Sequence, residues 1–231
     1  MTTPLPDLLA RIQGGLIVSC QAQPNDALYG AAFMAAMAAS AVRGGACGIR
    51  ANGAADIRAI KAVTDVPVIG IFKHDYPDSK VRITPLLEDA LPIIEAGAEI
   101  IAIDATPLPR PNGVPLAEVV ASIREVYDGA LMADISTLEE GVEAARLGFD
   151  LIGTTLSGYT PYSRKLEGPD LALIGELASA IDRPIIAEGR ITTPGDARAA
   201  LEQGAHAVVV GTMITRPQVI TAYFVKGMSG Q

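Results

Sequence analysis

Three stretches, "EAGAEIIAID" at 95–104, "RLGFDLIGTT" at 146–155 and "EQGAHAVVVG" at 202–211, repeat one pattern. Each reads as the end of a helix, a glycine at its cap, and then a short apolar run. Glycine accepts the left-handed conformation that closes a helix, and a near-continuous apolar run suits a parallel strand covered on both faces. Working outward, the same run recurs eight times: Leu16–Cys20, Gly48–Arg50, Val68–Phe72, Ile100–Ile103, Leu131–Asp134, Leu151–Thr155, Ile185–Glu188 and Ala207–Val210. Between the runs lie Ala54–Val63, Leu86–Glu95, Ala117–Tyr127, Thr137–Leu147, Leu171–Ile181 and Thr193–Gln203, with apolar residues at helical spacing. No linker or low-complexity tract divides the chain. Strand and helix in regular alternation predict an α/β protein, a (β/α)8 TIM barrel spanning 1–231 as a single domain, with 1–13 as an N-terminal helical extension. The rival is an open doubly wound sheet. It is disfavoured because no GxGxxG fingerprint follows the first strand.

Composition agrees. Hydrophobic residues make up 49% of the 231, aromatics only 4%, and there is no Trp, so the core is aliphatic. Acidic residues outnumber basic ones by 26 to 18, a formal charge of -8. That excludes a broad basic face for nucleic acid, yet leaves room for an anionic ligand where cations are locally concentrated. Cys20 and Cys47 are too few for a disulfide framework and read as buried thiols in a reducing compartment. The N-terminus "MTTPLPDLLARIQ" lacks the charged and apolar regions of a secretory signal. The uncharged stretch Ala27–Val42 falls short of the roughly 20 residues that cross a bilayer and reads as a buried helix. A cytoplasmic protein with no membrane partner is expected.

In such a barrel, chemistry sits at the C-terminal ends of the strands. There the sequence places Gln21, Arg50, Lys73, His74, Asp104, Asp134, Thr154–Thr160, Glu188, Gly189, Arg190, Gly211 and Thr212. "AEGRI" (187–191) and "VVGTM" (209–213) end the seventh and eighth strands, where barrels often bind phosphate. Gly189 and Gly211 let backbone approach an anion, and Arg190 adds a charged donor. Each glycine could also serve only a tight turn. Lys73, with Arg50 and Arg216 as neighbours, is the leading acid–base group, because burial and nearby cations lower an ammonium pKa. A structural pairing with Asp75 or Asp104 is the plainer alternative. Glu188 is the complementary carboxylate, either as a salt-bridge partner of Lys73 or as a second proton carrier. Metal chemistry is poorly supported: His74 and His206 are the only histidines, and His206 begins the eighth strand at the opposite rim.

The segments "GGLIVSCQA", "GIRANG", "IGIFKHDYPDS", "IAIDAT", "LMADIST", "IGTTLSGYT", "IIAEGRITTP" and "VVGTMITRP" occur in this order over essentially the whole chain. Together they resemble the N-acylmannosamine-6-phosphate 2-epimerase (N-acetylmannosamine-6-phosphate 2-epimerase) family. The resemblance implies Lys73 and Glu188 as the catalytic pair. It implies Gln21, Arg50, Asp134 and Arg216 as substrate-binding residues, and Gly189, Arg190, Gly211 and Thr212 around the phosphate. It also implies an isomerase that interconverts N-acetylmannosamine 6-phosphate and N-acetylglucosamine 6-phosphate in amino-sugar and sialic acid catabolism. No cofactor or metal is required, and a homodimer is expected. The uncharged Ala27–Val42 segment and "VITAYFV" near the C-terminus suggest its face. No role falls to His74 or the rest of its loop. Two other classes stay open: a Schiff-base phosphosugar aldolase or lyase using Lys73, and a non-catalytic sugar-phosphate-binding barrel.

Overall fold

The computed structural model describes residues 3–229. Its strands are β1 Leu16–Cys20, β2 Gly48–Asn52, β3 Val68–Ile71, β4 Ile100–Asp104, β5 Ala130–Asp134, β6 Leu151–Gly153, β7 Ile185–Glu188 and β8 Ala207–Val210. All neighbouring pairs are parallel, and β8 pairs with β1 to close the barrel. The helices are α1 Leu5–Ile12, α2 Ala31–Arg43, α3 Ala54–Lys61, α4 Leu87–Glu95, α5 Leu116–Arg124, α6 Leu138–Arg146, α7 Leu171–Ala180, α8 Pro194–Glu202, α9 Thr212–Thr215 and α10 Pro217–Met228. Within the expected 1–13 extension, the described part forms α1, while residues 1–2 lie outside the described residues.

The two-residue period of a strand divides the core in two. Val18, Ile49, Ile101, Ala133, Val208 and Val210 point outward to the helices. Ile17, Ile69, Ile71, Ala102, Met132, Ile186 and Val209 fill the barrel interior, and Leu8 and Ile12 of α1 join them. His206 lies beside that helix, its Nε2 2.9 Å from the Leu9 carbonyl, far from the strand C-termini.

Boundaries move for local reasons. β2 runs to Asn52, which pairs with Ile71 and accepts a hydrogen bond from the Lys73 amide through Oδ1 at 2.8 Å. β3 stops at Ile71 because Phe72 N–H turns to the Thr84 hydroxyl, and Lys73 then bridges antiparallel to Ile83. β6 stops at Gly153, after which the Thr154 hydroxyl bonds the Glu188 backbone. The uncharged helix starts at Ala31 rather than Ala27, with Gly30 before it at φ 124°, a conformation glycine alone adopts easily. Cys20 is buried as expected, but Cys47, one residue before β2, is only half-buried.

Gly70 shows how tightly the helix layer meets the barrel. A Cβ at that position would lie 2.7 Å from Ala98 Cβ and 3.1 Å from Ile57 Cδ1. Ala98 has no flexible end to give way, so overpacking is expected. Gly70→Ala should destabilise the protein by about 1–3 kcal/mol, read as a lower urea midpoint.

Candidate active site

The inward parity that fills the barrel with Ile and Val continues past the apolar positions. Arg50 follows Gly48, Lys73 follows Ile71, Asp104 follows Ala102, Asp134 follows Met132 and Glu188 follows Ile186, each two residues on. Polar side chains therefore converge at one mouth because the strand period aims them there. Above them opens a cleft of about 820 Å3, within the size range of small-molecule sites. Gln21, Lys73, Asp104, Glu188, Gly189, Arg190, Gly211, Thr212 and Arg216 all line it.

Arg50 and Asp134 form the floor instead. They are 1% and 0% exposed, and their side chains engage one another: Arg50 Nη1 donates to Asp134 Oδ1 at 3.1 Å and Nη2 to Oδ2 at 2.5 Å. Arg50 Nη1 also donates to Glu188 Oε2 at 2.9 Å. The Thr155 hydroxyl sits between the two carboxylates, 2.5 Å from Asp134 Oδ1 and 3.3 Å from Glu188 Oε2. All these bonds to Glu188 end on Oε2; among the described residues Oε1 has no side-chain or loop partner. Burial pushes the Glu188 carboxyl above the usual carboxylate range, with Asp134 adding to the rise against the pull of Arg50 and Lys73.

Lys73 Nζ makes no hydrogen bond or ion pair among the described residues. Asp75 is instead paired with Arg82, and Asp104 Oδ1 accepts from the Thr106 amide at 2.9 Å and hydroxyl at 2.7 Å. The plainer structural pairing of Lys73 is therefore not formed. Burial, then the positive charges of Arg50 and Arg82, holds its ammonium below the usual lysine range, partly offset by Glu188 and Asp134.

On the far side, Gly189 and Arg190 adopt φ of 111° and 55°, which bends β7's exit around the cleft. Arg190 does more than the sequence indicates. Its Nε donates to the Gly168 carbonyl at 2.8 Å and its Nη1 to the Ser157 carbonyl, so it braces the β6–α7 loop. Nη2 alone is buried without a partner. The same holds for Arg216 Nε and for Gln21 Oε1, whose amide nitrogen donates to the Ser19 hydroxyl at 2.9 Å. Arg50 Nε and Arg110 Nη1 are likewise buried without a partner, but among the described residues Gln21, Arg190 and Arg216 are the three such side chains that line the cleft. Buried polar atoms are nearly always satisfied, so two open donors and one open acceptor in a cleft point to a ligand with matching oxygens and hydroxyls.

Several cleft residues escaped the sequence reading. Lys80 and Arg82 reach the mouth from the loop after Lys73, and Asp26 from the β1–α2 loop. None lies at a strand end, so the strand-end rule does not find them. His74, which drew no assignment, has its Nδ1 2.8 Å from Asp89 Oδ1, and Asp89 Oδ2 accepts from the Leu86 amide at the start of α4. Among the described residues, no three His, Cys, Asp or Glu side chains are grouped as metal ligands would be.

A family model described as "Putative N-acetylmannosamine-6-phosphate epimerase" matches residues 34–230. The chain belongs to this family. A relative named "Putative N-acetylmannosamine-6-phosphate 2-epimerase" in Caldanaerobacter subterraneus subsp. tengcongensis is 55% identical over 220 residues, 95% of this chain and 93% of that protein. One of the same name in Clostridioides difficile is 48% identical over 222 residues, covering 96% and 99% of the two chains. Among solved structures, the N-acetylmannosamine-6-phosphate 2-epimerase from Clostridium perfringens matches with a TM-score of 0.92 and 46% identity over 95% of each chain. Thiamine phosphate pyrophosphorylase from Pyrococcus furiosus, at 18% identity and a TM-score of 0.60, shares the fold alone.

Two measurements test this geometry apart from turnover. Asp134→Ala leaves the Arg50 guanidinium buried with one partner fewer and should cost about 3–5 kcal/mol in denaturant unfolding. Arg82 disfavours the protonated form of Lys73, so Arg82→Gln should raise the Lys73 pKa in an NMR titration of the side chain. The rise should shrink in high salt because Arg82 is 55% exposed.

Proposed function

We propose that this cleft epimerises C2 of N-acetylmannosamine 6-phosphate to give N-acetylglucosamine 6-phosphate, removing one proton and returning another without a cofactor or metal. The observation that carries the mechanism is an unpaired lysine and a carboxyl with one open oxygen sharing a cleft in a member of the epimerase family. The activity belongs to amino-sugar and sialic acid catabolism.

The chemistry follows from the substrate. In the open-chain form, C2 is next to the aldehyde, so loss of its proton gives an enolate. Lys73, held below the usual lysine range, supplies free amine nearer neutral pH than an exposed lysine would. Glu188, held above the usual carboxylate range, carries a proton there more readily. Opposite shifts of a base and an acid toward neutrality suit a pair that exchanges protons with a carbon acid. Arg50 and the Thr155 hydroxyl hold Oε2 of Glu188 and aim Oε1. Gln21 Oε1 and Arg216 Nε are the open partners for the sugar's hydroxyls and oxygens. For the phosphate we propose Arg190 Nη2 with the backbone at Gly189, Gly211 and Thr212.

We also propose a cytoplasmic homodimer. No helix among the described residues is long and apolar enough to cross a membrane. Support for the dimer comes from α10. Every residue from 221 to 229 is exposed, among them Tyr223, Phe224 and Val225 at 60–63%. Beside β8 and β1 lies a cavity of about 440 Å3 lined by Leu16, Leu201, Val208, Val210 and Met213. An eighth helix would ordinarily cover that face of a barrel, and this chain's own does not. Exchange of α10 between two copies fills both grooves by one symmetric contact. Analytical ultracentrifugation should find a dimer for the native chain and a monomer for Phe224→Asp.

The mechanism is tested by turnover in deuterium oxide. Deprotonation must place solvent deuterium at C2 of the product, and unlabelled product would overturn it. Lys73→Ala should abolish epimerisation. Arg190→Ala should chiefly raise KM, by roughly 10- to 150-fold for a lost charge-assisted bond, together with faster exchange in the 157–168 backbone. Borohydride inactivation only in the presence of substrate would instead reveal a Schiff base on Lys73.

A further inference from the structure

One carboxylate in the β1–α2 loop joins two parts of the molecule that the reaction itself does not require to be joined. Asp26 Oδ1 accepts from Arg216 Nη2 at 2.9 Å and from Gln218 Nε2 at 2.9 Å. Its Oδ2 accepts from the Gln23 amide at 2.8 Å, which holds the carboxylate in place. Arg216 caps α10 and Gln218 lies in its first turn, so the two bonds grip the root of that helix from one side. A second tie lies one residue earlier, where the Thr215 hydroxyl donates to the Ser19 carbonyl at 2.9 Å.

Beyond this root every described residue from 221 on is exposed, and the helix buries none of its side chains against its own barrel. Its direction as it leaves the barrel is therefore set at the clamp. The clamp also sets Arg216, whose Nη2 is held by Asp26 while its Nε stays buried, unpartnered and at the cleft. A planar guanidinium fixed at one nitrogen fixes the aim of the others. Any shift in the exit of α10 thus moves a cleft donor. Any ligand that fastens that donor restrains the helix in turn.

We propose that Asp26 is a positioning residue that couples substrate binding to dimer assembly, by holding Arg216 in the cleft and α10 in the direction required for exchange with a second copy. The coupling rests on the exchanged-helix dimer proposed above. Coupling of this kind is reciprocal: substrate strengthens the dimer, and the dimer tightens substrate binding.

The test uses the full chain, steady-state kinetics, and sedimentation with and without N-acetylglucosamine 6-phosphate. Asp26→Ala should raise KM about tenfold, the scale of one charged hydrogen bond, with kcat within about twofold of native. It should also weaken the ligand-free dimer, an effect that a residue acting only as a substrate contact would not produce. Asp26→Asn keeps an acceptor oxygen and should recover part of both losses. An Asp26→Ala enzyme with native KM, or with lower kcat alone, overturns the positioning role. Phe224→Asp separates the coupling from the helix exchange. A folded monomer with raised KM supports the coupling. A folded monomer with native KM overturns the coupling and leaves the exchanged dimer standing, whereas a persistent dimer overturns the exchange itself.

Discussion

The Arg50 guanidinium inside the barrel is the constraint around which the mouth is built. A cation stripped of water in a low-dielectric interior costs several kcal/mol unless partners replace the lost hydration. Asp134 supplies a two-point partner, and Glu188 supplies a third acceptor. Three strands, β2, β5 and β7, are thereby tied across the barrel at one level. Lys73 stands near enough for its own protonation to respond to the charges of this group.

That arrangement explains why the lysine is free. With Asp134 and one oxygen of Glu188 committed to Arg50, and Asp75 committed to Arg82, the acidic groups around Lys73 are already engaged. Burial then acts on an ammonium with no direct partner, and two cations add to its depression. Had Asp104 or Asp75 paired with it, the ammonium would have been stabilised and its proton held more tightly. The electrostatics of the floor thus reach the cleft through what they withhold.

The eighth helix illustrates a different balance. In a closed barrel each helix buries an apolar stripe on the strands, which stabilises both. Here α10 leaves aromatic and aliphatic side chains in water while an apolar groove stands open beside β8 and β1. Single exposed apolar residues are ordinary, but a run of them on one helix is not. Because α10 begins at the cleft wall, the unburied helix and the site share a root at Asp26 and Arg216.

The sequence by itself determined the eight strands, their parallel alternation with helices, and which strand ends carry charge. Those features are local: they depend on the apolar period, on glycine at helix caps, and on the two-residue alternation that turns Arg50, Lys73, Asp134 and Glu188 inward. It did not reveal which charges pair. Arg50 meets Asp134 across 84 positions and Glu188 across 138, and only the closure of the barrel brings them into reach. Arg190 looked like a plain anion donor, yet its positive φ swings it onto the carbonyls of a neighbouring loop. Asp26 gave no signal, since nothing in a turn between strand and helix announces a partner 190 residues away. Tertiary structure alone decided these contacts. Strand identity is a property of a few consecutive residues, whereas a hydrogen bond between loops depends on where the whole chain returns.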